Sequence, residues 1–171
     1  MTKAPILTTP RLKLRPHRLE DFTAMAEFFA SDAARYVGGP LSDRRAWFGF
    51  AADVGSWDLM AFGAWAVEET ATGVLVGQVG LNKPAFFPER EIGWIVFPAF
   101  QRRGFAFEAA QAARRFAFCD LGWTTAVSYI DHDNATSIAL ARRLGAAEDP
   151  DAARWDDEDV VYRHPAPEAR A

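Results

Sequence analysis

The chain has 171 residues and a formal net charge of −4 at pH 7; half of its residues are hydrophobic and a quarter are charged. This is an ordinary globular composition, and the negative charge argues against nucleic acid as the main partner. No uninterrupted apolar run approaches the ~20 residues of a membrane span, and Met1 to Ile6 lack the basic-then-apolar order of a signal peptide. We therefore expect a cytoplasmic protein with no membrane partner, folded as a single domain over residues 1–171 with its ordered core at about 9–163.

The chain offers no internal disulfide and no pattern of metal ligands. Its single cysteine, Cys119, falls on the apolar side of a predicted helix and is expected to be a buried structural thiol. His17, His132 and His164 are far apart in sequence, and no cluster of Cys, His and carboxylates has the spacing of a metal site. We predict no metal.

The first part of the chain predicts a strand and two helices. Charged and apolar residues alternate from Arg11 to Arg15, which indicates a strand with one buried face. Apolar residues then recur at helical spacing over 19–30, and a Gly-Gly-Pro break precedes Ser42, an N-cap candidate for a second helix. One side of that helix carries aromatic and apolar residues, and such a stripe is more often core than ligand site. These residues are Trp47, Phe50, Ala51 and Val54.

A hairpin and a buried strand follow in the sequence. Residues 62–67 and 74–81 are predicted to be antiparallel strands around a turn at 69–73. The segment 82–89 contains Pro84 and Pro88 and is predicted to be a loop. Mostly apolar residues at 92–97 then predict a buried strand, which Pro98 ends.

The turn after this strand has the chemistry of an anion site. Gly104 lets the backbone approach a ligand closely, and the first N–H groups of the following helix have no intrahelical partner. Together with the helix dipole, the N–H groups from Arg102 through Ala106 can bind a phosphate, and Arg102 and Arg103 add positive charge. A solvated basic turn is the alternative. The chain has neither G-x-x-x-x-G-K-[ST] nor G-x-G-x-x-G, which disfavours a nucleoside-triphosphate P-loop and a dinucleotide fold.

The last part of the chain predicts a helix, a strand, a helix and a final strand. From Phe105, apolar residues recur in steps of four and three as far as Cys119, and 124–130 is rich in β-branched residues. Asn134 is an N-cap candidate for a helix that ends at Gly145. The acidic stretch 148–159 is expected to be a solvated loop, with a site for a basic substrate as the alternative. A short strand at 160–162 and a frayed tail beyond Pro165 follow. Together the elements predict an α+β or α/β mixed sheet flanked by helices.

Four stretches of this sequence resemble the GNAT superfamily of N-acetyltransferases. They are Q-R-R-G-F-A at 101–106, E-I-G-W-I-V before it, D-N-A-T-S-I-A-L-A-R-R-L-G-A after it and T-P-R-L-K-L-R-P near the start. The flanking stretches resemble the branch that includes ribosomal-protein N-terminal acetyltransferases. The resemblance implies a predominantly antiparallel sheet in which two parallel strands, 92–97 and 124–130, splay apart. The pantetheine arm of acetyl-CoA, the cosubstrate, would occupy the gap.

The resemblance also implies which residues form the donor site. The turn 101–106 would hold the pyrophosphate of acetyl-CoA, and the backbone of Val96 and Phe97 would pair with pantetheine and polarise the thioester carbonyl. Asn134 would contact the pantetheine arm, and Ser137 would protonate the departing thiolate. Alternatively, Asn134 is only a helix cap and Ser137 is an ordinary residue of the first helical turn. Many relatives use a tyrosine as the acid, and this chain offers only Tyr162 for that role.

The acceptor site is less sharply indicated. Glu91 is the carboxylate nearest to the motif in sequence and is a candidate general base, acting directly or through water. An exposed glutamate at the start of a strand is the alternative. In the family the first helical pair and its loop form one wall of the acceptor cleft, so Tyr36, Trp47 and Trp57 are candidate acceptor contacts.

The sequence therefore predicts an enzyme that moves an acetyl group from acetyl-CoA to a primary amine. The acceptor would be a peptide N-terminus or a small molecule, and the amine would attack directly in a ternary complex. A non-catalytic CoA-binding module is the alternative, and a phosphate-anchored protein of unrelated fold is a third reading. A homodimer is expected if exposed aromatic residues cluster at the surface.

Overall fold

Eight strands form one mixed sheet in the computed structural model, which describes residues 4–167. The strands are β1 Leu7–Thr8, β2 Leu12–Arg15, β3 Ala64–Glu69, β4 Leu75–Asn82, β5 Glu91–Val96, β6 Ala126–Asp131, β7 Ala147–Glu148 and β8 Asp159–His164. Their order in space is β1-β2-β3-β4-β5-β6-β8-β7, and all neighbours pair antiparallel except β5 and β6. The predicted mixed, mainly antiparallel sheet is confirmed. Residues 1–3 and the part of the predicted tail at 168–171 lie outside the described residues.

Helices cover both faces of the sheet. They are α1 Asp21–Phe29, α2 Asp43–Met60, α3 Phe105–Arg115 and α4 Ala135–Arg143, with 3₁₀ turns at Asp32–Val37 and Pro98–Phe100 and a π-helical turn at Phe116–Asp120. α1 and α2 pack on one face through Met25, Phe28 and Phe50, and α3 packs on the other through Phe105 and Ala109. No helix within residues 4–167 is long and apolar enough to cross a membrane.

Most elements lie where the sequence pattern predicts them, with shifted ends. In β2, Leu12 and Leu14 alternate with charged residues and are fully buried. β3 begins at Ala64 instead of residue 62 because α2 extends to Met60 and the chain must turn before the strand. β1 and β7 have two residues each, which is too short for a periodic pattern to reveal.

A buried ion-pair network fastens α1 to the sheet. The Arg15 guanidinium donates to both Asp21 carboxylate oxygens, at 2.7 and 2.9 Å, and to Glu68 Oε2 at 2.7 Å. Arg15 and Asp21 are both buried. Although burial opposes ionisation, the hydrogen bonds from Arg15 hold the pKa of Asp21 well below its usual value. The charged residue at the end of β2 is therefore part of the fold, not a solvated strand end.

The parallel strands β5 and β6 separate soon after they meet. One register pair, Glu91 with Val127, joins them, and the Val127 N–H donates to the Arg90 carbonyl oxygen at 2.9 Å. Beyond that pair no backbone pairing connects them in the described chain, and a gap opens toward their carboxyl ends. This is the splayed parallel pair that the resemblance implies.

Cys119 is exposed, so the prediction of a buried thiol is wrong. The cause is a change of helix type: α3 ends at Arg115 and the next turn is π-helical. Because a π-helical turn holds more residues than an α-helical turn, the side chains that follow rotate relative to the α-helical phase. Ala117 faces the core in place of Cys119.

An aromatic cluster lies at the surface beside the end of β4. Phe86 and Trp155 are exposed, and their ring centroids are 5.8 Å apart. Phe87 packs against both Trp155 and Tyr129. Exposed aromatic residues therefore do cluster at the surface, which is the feature expected to favour a dimer. The homodimer itself stays a prediction.

Candidate active site

The turn between β5 and α3 presents unpaired backbone donors. Gly104 is the N-cap of α3 with φ +82°, and Arg102 also has a positive φ, +62°. No side chain in the described chain caps this helix, and the first helical bond runs from the Glu108 N–H to the Gly104 carbonyl. The N–H groups of Phe105, Ala106 and Phe107 therefore have no helical acceptor. Such a helix start binds anions.

A cavity of about 500 Å³ lies directly in front of this turn. It is lined by Pro10, Arg11, Arg102, Arg103, Gly104, Phe107, Glu108, Gln111 and Arg143. Arg103 pairs with Glu69 and stacks on Phe105, and Arg11 pairs with Glu108 at 2.7 Å. Arg102 and Arg143 form no ion pair within residues 4–167, so their charges are free to meet an anion. The sequence motif predicted Arg102 and Arg103, but not Arg11 or Arg143.

Arg11 and Arg143 reach the cavity from elements far away in sequence. Arg11 precedes β2, and its Nη1 donates to the Arg103 carbonyl oxygen at 2.9 Å, which fixes the turn. Arg143 ends α4, where its guanidinium lies 4.2 Å from the Phe107 ring centroid. No local pattern predicts these contacts, because each depends on tertiary packing.

A second cavity, of about 70 Å³, passes through the gap between β5 and β6. Its lining residues are Tyr36, Val37, Glu91, Ile92, Gly93, Trp94, Ser128, Tyr129, Ile130, Asn134 and Ser137. Tyr36 and Val37 belong to the 3₁₀ turn between α1 and α2, and Asn134 and Ser137 belong to the start of α4. The gap thus brings together Glu91, Asn134, Ser137 and Tyr36, four predicted site residues that are up to 101 positions apart in the chain.

The backbone of β5 offers Val96, not Phe97, to the gap. The Phe97 N–H donates to the Val76 carbonyl oxygen of β4 at 3.0 Å and is therefore occupied. The Val96 carbonyl accepts from Gln101 Nε2 at 3.0 Å on the opposite side of the strand. In an extended strand the N–H and C=O of one residue point the same way, so the Val96 N–H faces the gap. The prediction for Phe97 is corrected accordingly.

The start of α4 orients a hydroxyl toward the gap. Asn134 Oδ1 accepts from the Ser137 N–H at 3.2 Å, so Asn134 is the predicted N-cap. The Ser137 hydroxyl lies 3.2 Å from Trp94 Nε1, which donates to it. Because the indole N–H occupies an acceptor position, the hydroxyl proton of Ser137 remains available to a ligand in the cavity.

Glu91 is a partly buried carboxylate on the wall of the gap. Its Oε2 accepts from Asn82 Nδ2 at 2.7 Å. Burial raises the pKa of Glu91 to about 7, the nearby carboxylates of Asp159 and Asp53 act in the same direction, and the bond from Asn82 opposes them. The alternative of an exposed glutamate at the start of a strand is therefore wrong. A carboxylate that titrates near neutrality is suited to accept a proton.

Ser128 and His164 hold the strands together where the gap begins. Ser128 Oγ donates to the Ile92 carbonyl oxygen at 2.5 Å and lies 2.8 Å from His164 Nε2. Because the Ser128 proton is used, His164 must donate to Ser128 from Nε2. Burial lowers the pKa of His164 to about 4, which keeps the ring neutral at pH 7. Neither residue was predicted, since a serine in a strand gives no local signal.

The three predicted acceptor residues have different environments. Tyr36 lines the gap cavity. Trp47 is 42% exposed and packs edge-on against Phe22 with ring centroids 5.0 Å apart, so it lies at the surface of the helical layer. Trp57 is only 5% exposed; it packs edge-on against Trp65 and donates from Nε1 to the Ala64 carbonyl oxygen. Trp57 thus belongs to the core, and we remove it from the predicted acceptor contacts.

Tyr162 does not reach the gap. It is buried in β8, and its hydroxyl donates to Glu148 Oε2 at 3.3 Å. Of the two proposed proton donors, Ser137 lines the cavity and Tyr162 does not.

Comparison with known proteins agrees with this geometry. A protein-family model described as an acetyltransferase (GNAT) domain matches residues 11–147. An uncharacterized N-acetyltransferase of Bacillus subtilis, YoaA, is 29% identical over 145 residues, which cover 82% of each chain. The crystal structure of an acetyltransferase from Agrobacterium tumefaciens has 41% identity and a TM-score of 0.92, with 95% of each chain covered.

The fold also occurs in a ribosomal-protein acetyltransferase. The structure of RimL, an α-N-protein acetyltransferase solved in complex with coenzyme A, gives a TM-score of 0.74 at 16% identity. The match covers 94% of this chain and 97% of that one. At this identity the likeness shows a common fold.

Proposed function

The chain belongs to the GNAT family of acetyltransferases, and from this premise we propose that it transfers the acetyl group of acetyl-CoA to a primary amine in a ternary complex. The observation that carries the proposal is the gap between β5 and β6, where one cavity joins a carboxylate with a raised pKa and an orientated hydroxyl, and toward which the Val96 N–H also faces. These are the three groups that amine acetylation requires besides the donor site.

The donor site would be the cavity in front of α3. The unpaired N–H groups at the start of α3 and the Gly104 turn are suited to the pyrophosphate of acetyl-CoA. Arg102 and Arg143, whose charges are not neutralised by the described chain, would add electrostatic attraction to its phosphates. The pantetheine arm would then enter the gap, where Asn134 offers a polar contact. Acetyl-CoA would supply the acetyl group as an activated thioester.

The residues of the gap would carry out the proton transfers. Glu91 would accept the proton that the amine loses on attack, because its pKa near 7 lets it be ionised at neutral pH and still bind a proton. The Val96 N–H would stabilise the negative charge that develops on the carbonyl oxygen, a contribution of about 3 kcal/mol in comparable sites. Ser137 would donate its hydroxyl proton to the departing thiolate as the C–S bond breaks.

The acceptor would approach from the side of α1 and α2. Tyr36 and Val37 line the gap there, next to Glu91. The RimL structure belongs to an enzyme whose acceptor is a protein N-terminus, but acceptor loops differ among proteins of one fold, so the fold leaves the amine open. The donor half of the proposal is independent of that choice.

Turnover tests this proposal. Purified protein is incubated with acetyl-CoA and a panel of primary amines that includes peptides with free N-termini, and free CoA thiol is measured over time. Amine-dependent thiol release supports transfer if the mass of the amine also increases by about 42 Da, the mass of one added acetyl group. Binding of acetyl-CoA without release for any amine would instead favour a non-catalytic CoA-binding module.

A further inference from the structure

Asn82 is the side chain that anchors the proposed base. Its Nδ2 donates to Glu91 Oε2 at 2.7 Å, and the two residues are register partners at the last position of β4 and the first of β5. Glu91 lines the cavity in the gap, and Asn82 is not among the lining residues. Asn82 therefore lies behind the Glu91 carboxylate and can act on a ligand in the gap only through Glu91.

Two glycines make room for this contact. Gly80 and Gly93 are register partners in the same strands, and because side chains alternate along a strand they share one face with Asn82 and Glu91. The three atoms nearest to a Cβ built on Gly80 all belong to the Asn82 amide group, at 3.0 to 3.4 Å. The nearest atoms to a Cβ built on Gly93 are Glu91 Oε2 at 3.3 Å and Asn82 Nδ2 at 3.4 Å. The two side chains thus lie over the glycine pair, and a methyl group at Gly80 would press on the Asn82 amide.

The surroundings of Glu91 mostly oppose its negative charge. Burial and the nearby carboxylates raise the Glu91 pKa, whereas the Asn82 amide and the Tyr129 backbone lower it. Glu91 forms no ion pair within residues 4–167. The titratable residues that act on this carboxyl or share its cavity come from different elements: Asp53 of α2, Tyr36 of the 3₁₀ turn, Tyr129 of β6 and Asp159 of β8. Asn82 supplies the side-chain hydrogen bond that favours the ionised form of Glu91, which is the form that can accept a proton.

We propose that Asn82, which lies over Gly80 and Gly93, is the positioning residue of the proposed base: it holds the Glu91 carboxylate at the wall of the gap and keeps it ionised for the attack of the amine. The inference rests on the proposed acetyltransferase function and adds a residue to it. A hydrogen bond to an ionised carboxylate lowers its pKa by about one to two pH units. Without Asn82, a larger share of Glu91 would therefore be protonated at neutral pH and unable to accept the amine proton.

The test removes the donor and follows the titration of Glu91. Asn82→Leu has a side chain of similar size without the amide. We expect the Glu91 pKa, measured by NMR of the isotope-labelled side-chain carboxyl, to rise by about one to two pH units in this variant. The Glu91 signal is identified by its loss in Glu91→Gln. The measurement needs no substrate, so it reports on the pair of side chains independently of turnover.

The pH profile then shows whether the reaction depends on this pair. The rise of kcat/KM with pH should move upward by the same amount as the Glu91 pKa in Asn82→Leu. At pH 7 kcat/KM should be about 5- to 50-fold below the wild-type value, and the difference should shrink as the pH increases. Ionisation of the acceptor amine is common to both proteins and cancels in their ratio. A merely structural role of Asn82 would lower activity equally at every pH.

Two further variants separate the contact from general damage to β4. Gln78→Leu is the matched control, because Gln78 is an amide on the same face of β4 whose Nε2 donates to Asp53 at 2.8 Å instead. It should not raise the Glu91 pKa. Gly80→Ala keeps Asn82 but places a methyl group against its amide, so it should raise the Glu91 pKa in the same direction as Asn82→Leu. If Asn82→Leu does not fold, Gly80→Ala decides.

The possible outcomes separate this inference from the function on which it rests. An unchanged Glu91 pKa in folded Asn82→Leu would overturn the inference. So would a raised pKa with an unshifted kcat/KM profile, because Asn82 would then act on a carboxyl that takes no part in the reaction. If the wild type neither binds acetyl-CoA nor acetylates any amine, the proposed function itself fails and the catalytic role of Asn82 fails with it. The NMR titration would still report the effect of Asn82 on Glu91 in that case, so the two failures can be told apart.

Discussion

Replacing Glu91 with glutamine is expected to stabilise the fold while it slows the reaction. Glutamine keeps an oxygen that can accept the 2.7 Å hydrogen bond from Asn82, so the side chain should stay in place. In the wild type, burial raises the Glu91 pKa from 4.5 to about 7. Between these pH values the folded protein binds a proton that the unfolded chain has lost. Stability therefore falls as the pH rises from about 4.5 to about 7 and stays lower above it.

The size of this effect follows from the same pKa values. A rise from 4.5 to about 7 corresponds to about 3 kcal/mol of lost stability once Glu91 is ionised. Glu91 is partly open to solvent, which screens its charge, so we expect Glu91→Gln to be about 1 to 2 kcal/mol more stable than the wild type at pH 8. At pH 4 both side chains are neutral and the two proteins should unfold alike. Urea unfolding at the two pH values measures the difference.

Activity should change in the opposite direction. The wild-type kcat/KM is expected to rise with pH around pH 7, as Glu91 ionises. The Glu91→Gln variant should show no such rise, and its kcat/KM should be about 100-fold lower at pH 8. The ratio of the two profiles isolates Glu91, because the ionisation of the acceptor is common to both. Glu89→Gln is the matched control, since Glu89 is bound to Arg163 at 2.8 Å and its pKa is lowered. Normal turnover in Glu91→Gln, or a loss of stability at pH 8, would refute the reasoning.

Three further predictions concern the donor site, the proton donor and the fold. Gly104→Asp should weaken acetyl-CoA binding at least tenfold by calorimetry, whereas Gly122→Asp, at a similar φ of +66° but in open space, should not. Ser137→Ala should lower kcat about 100-fold and leave the acetyl-CoA Kd unchanged. If kcat and the affinity for acetyl-CoA fall by the same factor, Ser137 has a structural role instead. Asp21→Asn should destabilise the fold by about 2 kcal/mol at pH 7, because the buried Arg15 guanidinium then keeps only Glu68 as an anionic partner. Since the Asp21 pKa is lowered by folding, that deficit should shrink as the pH falls below about 4.

The fold and the donor turn were predictable because their signals are local. The apolar run before Pro98, the turn at Gly104 and the helix that follows are consecutive in sequence, and each element has its own periodicity or cap. The same holds for Asn134, whose capping side chain and Ser137 partner lie three residues apart. The family assignment confirmed by the domain match depends on these stretches.

The acceptor side was less predictable because it depends on contacts between distant elements. Ser128 and Tyr129 have no motif, and their place on the wall of the gap becomes visible only in the tertiary structure. The burial of Trp57 was not predictable, because the helical pattern of α2 does not reveal which of its residues packs against Trp65 of β3. The occupied N–H of Phe97 depends on strand register, and the exposure of Cys119 on a single π-helical turn. Neither feature has a signature in the local sequence.

Calorimetric titration of the purified protein with acetyl-CoA, with ATP and NAD as controls, tests the central claim most directly. The account predicts selective binding of acetyl-CoA at about one site per chain, because the helix start and the gap between β5 and β6 together match a pyrophosphate and a pantetheine arm. Absence of binding by the folded protein, or equal affinity for ATP and NAD, would contradict it, since the Gly104 turn would then be only a general anion site.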